Sequence, residues 1–322
     1  GSGSMGVTLY PQDDVDADQL LRHADQAMYV AKAEGKNRYR LFDVAQDSAS
    51  KRHREILESI RSALDHNEFV LYYQPKVNIE NGAVVGAEAL IRWQHPQQGL
   101  LAPGLFLPMI EGQAISVELG EWVIHTALQQ ISTWRAAGLD MQVSVNVNAL
   151  QLQDGAFGEK LASALAAHPD MPRGRLGLEI VETSALDDVA QVSALMHTCL
   201  GLGVGFALDD FGTGYSSLTY LKRLPADLLK IDQGFVRDML TDPDDLAIVQ
   251  GVIGLAKVFK REVIAEGVET EAHARKLLEL GCELAQGYGL VLFVHTLDEY
   301  SGGLATWRKL DVTHSLSGLD SC

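Results

Sequence analysis

From Phe69 onward, short runs of apolar residues alternate with longer segments in which apolar positions recur at helical spacing. Short apolar runs are typical of buried strands, and the longer repeat is typical of helices with one buried face. The predicted strands are Phe69–Tyr73, Val84–Trp93, Gln142–Val147, Leu176–Val181, Val204–Leu208, Leu228–Ile231, Val263–Ala265 and a weaker one at Glu283–Ala285. The predicted helices are Ser116–Ala137, Phe157–Ala167, Val189–Leu200, Leu246–Phe259 and Glu271–Leu280.

This alternation predicts an α/β fold with a mainly parallel sheet, because a helix usually makes the crossover between parallel strands. About eight strands in roughly 250 residues is the size of a (β/α)8 TIM-like barrel. An open, doubly wound sheet is the structural alternative. No glycine fingerprint of a dinucleotide-binding fold follows the first strand, which disfavours that alternative.

The first part of the chain has a different pattern. Ala17–Ala33 has helical periodicity and Tyr39–Phe42 predicts a strand, but about 40 residues are too few for an independent core. The polar stretch Asp43–Ser50 predicts a linker, and Lys51–Leu64 predicts a second amphipathic helix. We therefore divide the chain into an expression remnant (1–4), a short N-terminal segment (5–43), a linker (44–54), the main domain (55–310) and a tail (311–322).

Composition narrows the class of protein. A chain of 322 residues that is 47% hydrophobic fits a soluble globular protein. The formal net charge of −17 disfavours binding to DNA or RNA polymers, whose phosphates attract Lys and Arg. The three cysteines have no metal-ligand spacing and indicate reduced thiols in a cytoplasmic protein. No apolar run reaches the roughly 18–20 residues of a membrane span, so we expect membrane attachment only through a region upstream.

Polar residues stand where the predicted strands end. They are Glu88 and Arg92, Asn146, Glu179 and Glu182, Asp209 and Asp210, Lys230 and Asp232, Glu266 and Glu269, and Gln286. Any one alone could be a solvated side chain or a helix cap. The carboxyl ends of barrel strands meet at one mouth, so the whole set predicts a cluster of oxygen ligands. Such a cluster suits Mg²⁺ or Mn²⁺, and the lack of His or Cys in it argues against zinc.

The apolar run before Asp209 and Asp210 makes this pair unusual. Two adjacent carboxylates at the end of a buried strand are costly without a positive partner. The pair could hold two ions about 3.5–4 Å apart, an arrangement that suits phosphoryl transfer. The plainer alternatives are that Asp210 caps the glycine-rich turn, and that the stem of Lys230 lies along apolar surface.

Eight motifs carry a resemblance to a known family. They are YYQPKV, EALIRW, VNVNALQL, LEIVET, DDFGTGYSSL, LKID, AEGVET and AQGY, between Glu55 and Tyr288. In this order they resemble the EAL family of cyclic di-GMP phosphodiesterases. The resemblance implies a (β/α)8 barrel with one antiparallel strand and a two-metal hydrolysis of cyclic di-GMP to linear 5′-pGpG. Mg²⁺ or Mn²⁺ would support the reaction and Ca²⁺ would inhibit it.

The resemblance also implies a role for each matching residue. One ion would be held by Glu88, Asn146, Glu179 and Asp209, and the other by Asp209, Asp210 and Glu266. Lys230 would help to activate the water, with Glu88 and Glu266 as further catalytic residues. Glu182 would anchor the loop over residues 211–217. The substrate would contact Gln74, Leu90, Arg92, Asp232, Glu269 and Gln286.

The N-terminal residues carry a second resemblance. MGVTLYP and LLRHADQAMYVAKAEGKNRYRLF resemble the last part of a GGDEF diguanylate cyclase domain. The signature loop of that domain does not occur in the sequence, so we predict no cyclase activity for this chain. The resemblance to the EAL family, in turn, implies a homodimer formed through the loop after Asp209 and Asp210.

Two other functions are compatible with parts of the pattern. Some members of the family bind the dinucleotide without cleaving it and act as receptors. After Tyr288 the chain lacks the Lys/Arg-Pro pair that the family usually has, which keeps this alternative open. A metal-dependent lyase that uses Lys230 as a base would also fit an acidic barrel mouth, although the eight motifs disfavour it.

Overall fold

The computed structural model describes residues 3–186, 188–213 and 218–290. The described residues fall into two compact units, divided between His66 and Asn67. Within the described ranges, no helix combines the length and the apolar character needed to cross a membrane.

The N-terminal unit contains two short strands and two helices. These are β1 (Met5–Val7), α1 (Ala17–Ala33), β2 (Tyr39–Leu41) and α2 (Val44–Asp65), with β1 and β2 pairing in parallel. Helix α1 has the predicted bounds and begins at Asp16, whose side chain accepts a hydrogen bond from the amide of Gln19.

Helix α2 begins seven residues before the predicted start at Lys51, so the predicted linker over residues 44–54 is helical rather than irregular. The physical reason is a cap: the Asp43 carboxylate accepts a hydrogen bond at 3.0 Å from the amide of Gln46. An N-terminal cap satisfies an amide that has no partner inside the helix, and it is worth about 1 kcal/mol. The polar composition of residues 44–50 therefore marks an exposed helix.

The second unit is a closed barrel of eight strands, which confirms the predicted fold class and excludes the open sheet. Its strands are β3 (Phe69–Asn78), β4 (Val84–His95), β6 (Gln142–Asn146), β7 (Leu176–Val181), β8 (Gly205–Phe211), β9 (Leu228–Ile231), β10 (Glu262–Ala265) and β11 (Leu284–Ala285). Strand β3 pairs with both β4 and β11 and so closes the sheet. It is antiparallel to both neighbours, whereas β4 and β6–β11 pair in parallel around the rest of the barrel.

Helices connect these strands. They are α3 (Leu107–Ile110), α4 (Ala114–Ala136), α5 (Ala149–Gln153), α6 (Phe157–Ala166), α7 (Glu182–Leu186), α8 (Val189–Leu202), α9 (Leu218–Arg223), α10 (Gln233–Asp238), α11 (Pro243–Phe259) and α12 (Glu271–Leu280). A short strand, β5 (Gly99–Leu101), extends β4 as a hairpin, and a 3-10 turn spans Pro103–Leu105. The sequence pattern predicts neither β5 nor the shorter helices.

Apolar side chains bury the outer face of the strands. Val143, Leu178 and Leu229 are fully enclosed, and each directly precedes a polar residue of the barrel interior, namely Ser144, Glu179 or Lys230. Successive side chains on a strand point to opposite faces, so these apolar residues face away from the barrel interior. The strands therefore carry an apolar outer face and polar groups on the inner face.

One close approach beside β11 gives a test of how the barrel closes. A methyl group on Gly287 would lie 2.4 Å from both the backbone nitrogen and the carbonyl oxygen of Val268. We expect Gly287→Ala to lower the free energy of unfolding by about 1–3 kcal/mol, because the backbone must move to relieve the overlap. Urea unfolding followed by tryptophan fluorescence measures this, since Trp93, Trp122 and Trp134 lie in the second unit and the first 66 residues contain no tryptophan.

The matched control is Gly251→Ala. Gly251 lies inside α11 and has no neighbouring atom within 4 Å of the added methyl group. This substitution should raise stability by roughly 0.5–1 kcal/mol, because glycine is unfavourable inside a helix. Equal effects of the two substitutions would contradict the packing described at Gly287.

Candidate active site

Most of the residues predicted at the strand ends meet at one mouth of the barrel. Glu88 on β4, Glu179 on β7, Asp209 on β8 and Lys230 on β9 are all buried there. Glu266 and Gln286 follow directly after β10 and β11, and Asn146 is the last residue of β6. The structure thus brings together side chains that are up to 198 residues apart in the sequence.

Lys230 occupies the centre of this cluster. Its Nζ lies 2.5 Å from Glu179 Oε2, 2.7 Å from Glu266 Oε1, 3.1 Å from Asp209 Oδ1 and 3.3 Å from Glu88 Oε2. The side chain is 1% exposed, so it does not reach along apolar surface into water. Burial alone would lower the pKa of Lys230, but the surrounding carboxylates outweigh it and raise this pKa well above its usual value.

Two buried residues outside the predicted set also contact the cluster. Lys76 on β3 donates hydrogen bonds at 2.6 Å to Ser144 Oγ and to Glu179 Oε1, and Ser144 Oγ donates to the same Glu179 oxygen. Glu179 is therefore ion-paired with two lysines. Burial by itself would raise the pKa of Glu179, but Lys76 and Lys230 outweigh it and hold this pKa below its usual value. The sequence does indicate that Lys76 belongs near the site in one respect. Lys76 lies two residues after Gln74, so the two side chains share one face of the strand.

Asp209 and Asp210 both reach the site because the strand is irregular at this point. The pairing of β8 with β9 shifts register between Leu208 and Phe211, which is the position of the two aspartates. Asp210 has a φ of +52°, in the left-handed region that asparagine and aspartate tolerate better than most residues. A bulge of this kind redirects a side chain that regular alternation would turn away. It explains how two adjacent carboxylates can serve one site.

Amide side chains hold Glu88 from two sides. Asn146 Nδ2 donates to Glu88 Oε1 at 2.7 Å, and Gln286 Nε2 donates to Glu88 Oε2 at 2.6 Å. Gln286 also donates to Gln74 Oε1 at 2.8 Å, which links β3 and β11 across the barrel closure. These contacts fix the orientation of Glu88.

Negative charge exceeds positive charge at the mouth. Five carboxylates (Glu88, Glu179, Asp209, Asp210 and Glu266) face two ammonium groups, Lys76 and Lys230, giving a formal charge of −3 when all are ionised. Burial, followed by repulsion from neighbouring carboxylates, raises the pKa of Glu88, and burial raises that of Asp209 against the pull of Lys230. Burial likewise raises the pKa of Glu266 to about 8. Burial raises the pKa of Asp210, and the negative charges of Asp209 and Asp232 raise it further.

Two groups of carboxylates could each hold a metal ion. Glu88, Glu179 and Asp209 form one group, and Asp209, Asp210 and Glu266 form the other. Within each group, one oxygen per residue lies within 4.8 Å of the others, and Asp209 belongs to both. The ligands are all hard oxygens and the excess charge is negative, so the residues fit divalent cations of the Mg²⁺ or Mn²⁺ kind.

The remaining predicted residues surround this centre. Glu182, the first residue of α7, accepts a hydrogen bond at 3.1 Å from the amide of Gly212, which ties it to the start of the loop after β8. Residues 214–217 of that loop, through which the dimer was predicted, lie outside the described residues. Asp232 caps α10 through the amide of Gly234 and lies close enough to Asp210 to affect its pKa.

Three predicted substrate contacts lie farther from the carboxylates. Leu90 and Arg92 are half-buried on the part of β4 that extends beyond its pairing with β6. The Arg92 guanidinium donates to the carbonyl of Ile91 and lies 5.7 Å from the ring centroid of Tyr72. Glu269 is exposed, four residues beyond the end of β10. The structure does not bring these three side chains into the carboxylate cluster.

Comparison with known proteins connects this arrangement to a family. Residues 57–291 match the model of the EAL domain, and residues 1–38 match that of the diguanylate cyclase GGDEF domain. The chain is 42% identical over 288 residues to the "Bifunctional diguanylate cyclase/cyclic di-GMP phosphodiesterase MucR" of Pseudomonas aeruginosa. That match covers 89% of this chain and 42% of MucR, so the chain spans less than half the length of this relative.

Solved structures agree with the family assignment. A structure described as "PaMucR Phosphodiesterase, c-di-GMP complex" is 43% identical, with a TM-score of 0.70, covering 73% of this chain and 96% of that one. The EAL enzyme Bd1971 in its "cAMP and cyclic-di-GMP bound form" is 31% identical, with a TM-score of 0.73, covering 88% of this chain and 77% of that one. On the sequence match, the closed barrel and these structural neighbours, the chain belongs to the EAL domain family.

Proposed function

We propose that this chain is a metal-dependent phosphodiesterase that hydrolyses cyclic di-GMP to linear 5′-pGpG. The observation that carries the proposal is the pair of carboxylate groups sharing Asp209 around a buried lysine. The names of the relatives add the substrate, since MucR is named a cyclic di-GMP phosphodiesterase and solved EAL structures are described as bound to this dinucleotide.

Divalent ions bound by these carboxylates would lower the pKa of a water molecule and neutralise charge on the phosphodiester. Asp209 would serve both ion positions, with Glu88, Asn146 and Glu179 on one side and Asp210 and Glu266 on the other. We propose two ions because two divalent cations come close to balancing the formal excess of −3 at the mouth. Mg²⁺ and Mn²⁺ should support turnover, and Ca²⁺ should bind without supporting it, because it is larger and less strict in geometry.

Lys230 supplies positive charge to the mouth. The carboxylates around it outweigh burial and raise its pKa, which favours the protonated side chain as a hydrogen-bond donor. This favours a role in orienting water over the proton abstraction that the lyase alternative needs. In the proposed reaction Lys230 orients the attacking water and stabilises negative charge that develops on the phosphate.

Residues above the mouth would bind the nucleotide. The guanidinium of Arg92 is held near the face of Tyr72 and can pair with a phosphate or a guanine edge, with Leu90 beside it on the same face of β4. The buried Oε1 atom of Gln286 has no hydrogen-bond partner among the described residues and can accept one from the substrate. Asp232 and Glu269 complete the proposed pocket, and Glu182 holds the first residues of the loop after β8.

Product analysis tests the proposal directly. Cyclic di-GMP incubated with the protein and Mg²⁺ or Mn²⁺ should be converted to pGpG, as measured by chromatography, whereas EDTA or Ca²⁺ should leave it intact. Unchanged cyclic di-GMP in the presence of Mg²⁺ and Mn²⁺, together with tight binding by calorimetry, would contradict the proposal and favour the receptor alternative.

Removal of Lys230 tests its role. Lys230→Ala should reduce kcat by about 100-fold or more, the usual scale for a residue that assists proton transfer or charge stabilisation, while KM changes little. Steady-state kinetics at saturating Mg²⁺ measure both quantities. The matched control is Lys160→Ala, which removes a surface lysine paired with Glu121 and Asp154 and should leave kcat unchanged. An unchanged kcat in Lys230→Ala would remove this lysine from the mechanism.

Glu266 offers a test of metal binding that does not depend on activity. In the wild type, Mg²⁺ or Mn²⁺ at about 100 times its Kd should stabilise the fold by roughly 2.7 kcal/mol and raise Tm accordingly. In Glu266→Gln this rise should shrink, because a ligand with negative charge is lost. The metal-free variant should melt at the same or a higher temperature, because the raised pKa of Glu266 means that its ionised form is disfavoured in the fold.

Glu262→Gln is the control for this experiment. Glu262 is exposed at the start of strand β10, whereas Glu266 directly follows the end of that strand. The metal-induced rise in Tm of Glu262→Gln should therefore equal that of the wild type. If the metal-induced rise is the same in Glu266→Gln and in Glu262→Gln, Glu266 is not a ligand.

A further inference from the structure

Glu179 presents its two carboxylate oxygens to different partners. Oε1 accepts hydrogen bonds from Lys76 Nζ and from Ser144 Oγ, and Oε2 lies 2.5 Å from Lys230 Nζ. All four side chains are buried: Lys76 is 6% exposed, Ser144 4%, and Glu179 and Lys230 1% each. One carboxylate oxygen of Glu179 is therefore held by Lys76 and Ser144, and the other contacts Lys230.

Strand β3 supplies one of the two donors to Oε1. Ser144 and Glu179 stand on the neighbouring strands β6 and β7, and Lys76 reaches them across the barrel interior from β3. Two donors on one oxygen resist rotation of the Glu179 carboxylate, because any rotation breaks a buried, charge-assisted hydrogen bond. Oε2, which contacts Lys230 at the centre of the cluster, is then the oxygen left for a metal ion.

We propose that Lys76 is a positioning residue that restricts Glu179 to one ligating oxygen and thereby makes the site select Mg²⁺ over Ca²⁺. The inference rests on the metal-binding part of the proposed function. It concerns a residue that the strand-end pattern did not include, and it assigns that residue a role in the choice of ion.

The physical basis is the difference between the two ions. Mg²⁺ requires a near-octahedral shell and retains several waters, so one oxygen from each carboxylate is sufficient. Ca²⁺ takes six to eight oxygens and often binds a carboxylate through both of its oxygens. A glutamate whose second oxygen is occupied by Lys76 and Ser144 cannot supply that extra ligand, which penalises Ca²⁺ more than Mg²⁺.

A purely stabilising role for Lys76 makes a different prediction. If Lys76 only compensates the buried charge of Glu179, its removal lowers stability and leaves the relative affinity for the two ions unchanged. Loss of its positive charge would strengthen binding of both ions in common, since both are divalent. The ratio of the two affinities therefore reports the coordination geometry, and the absolute affinities do not.

The experiment is calorimetric titration of the substrate-free protein with MgCl₂ and, separately, with CaCl₂. In Lys76→Met the ratio of Mg²⁺ affinity to Ca²⁺ affinity should fall by roughly tenfold relative to the wild type, the lower end of what changes around a metal ligand produce. Lys160→Met removes a surface lysine and serves as the control, with an unchanged ratio expected. No step of this test depends on hydrolysis, so a protein that binds Mg²⁺ but leaves cyclic di-GMP intact would defeat the proposed activity and not this inference.

The affinity ratio in the variant decides whether Lys76 affects the choice of ion. A lower ratio in Lys76→Met supports the inference, and an unchanged ratio in a folded Lys76→Met protein overturns it. A wild type that binds neither ion overturns it as well. If circular dichroism shows that Lys76→Met does not fold, Ser144→Ala takes its place, because it removes the other donor to Oε1. A lower affinity ratio in Ser144→Ala then supports the inference, and an unchanged ratio overturns it.

Discussion

The concentration of buried carboxylates around Lys230 is the constraint on which the rest of the site depends. One ammonium group lies within 3.3 Å of four carboxylates, and a second lysine neutralises the far side of Glu179. The formal charge of the five carboxylates and two lysines is still −3, and burial raises the pKa of Glu88, Asp209 and Glu266 in spite of Lys230. Burying charge without full compensation costs free energy, and a stable protein keeps such an arrangement where a ligand supplies the missing charge.

The barrel provides this concentration through two departures from regular geometry. The irregular pairing in β8 lets Asp209 and Asp210 face the same mouth, although neighbouring residues on a strand normally point apart. The antiparallel strand β3 brings Lys76 to Glu179 across the interior and Gln74 to Gln286 at the point of closure.

Much of the fold follows from hydrophobic periodicity. The bounds of β7, β9, α1 and α12 agree with the prediction, because each has a clear apolar pattern. Strand β3 continues five residues past its predicted end at Tyr73, because Pro75 pairs with Ala87 and the ladder with β4 continues beyond it. The early start of α2 depends on the single hydrogen bond that caps it at Asp43, which periodicity does not detect.

The sequence predicts the site residues that lie on the parallel strands, but it does not predict the contribution of strand β3. Glu179, Asp209 and Lys230 stand near strand ends, and Glu88 lies where β4 ends its pairing with β6, so the topology brings them together. The apolar pattern around Lys76 and Ser144 does not mark either residue as part of a site. The contact between Lys76 and Glu179 depends on where β3 lies in the barrel, which is a property of the tertiary structure. The positive φ of Asp210 is equally invisible in the sequence, because aspartate adopts many conformations.

The central claim is that the excess negative charge at the barrel mouth holds two divalent cations. Anomalous X-ray diffraction from crystals grown with Mn²⁺ tests it most directly, because manganese scatters anomalously while Lys230 and water do not. We expect two peaks about 3.5–4 Å apart, one beside Glu88 and Glu179 and the other beside Asp210 and Glu266, with Asp209 between them. A mouth without manganese peaks, with Lys230 still in contact with all four carboxylates, would contradict the account.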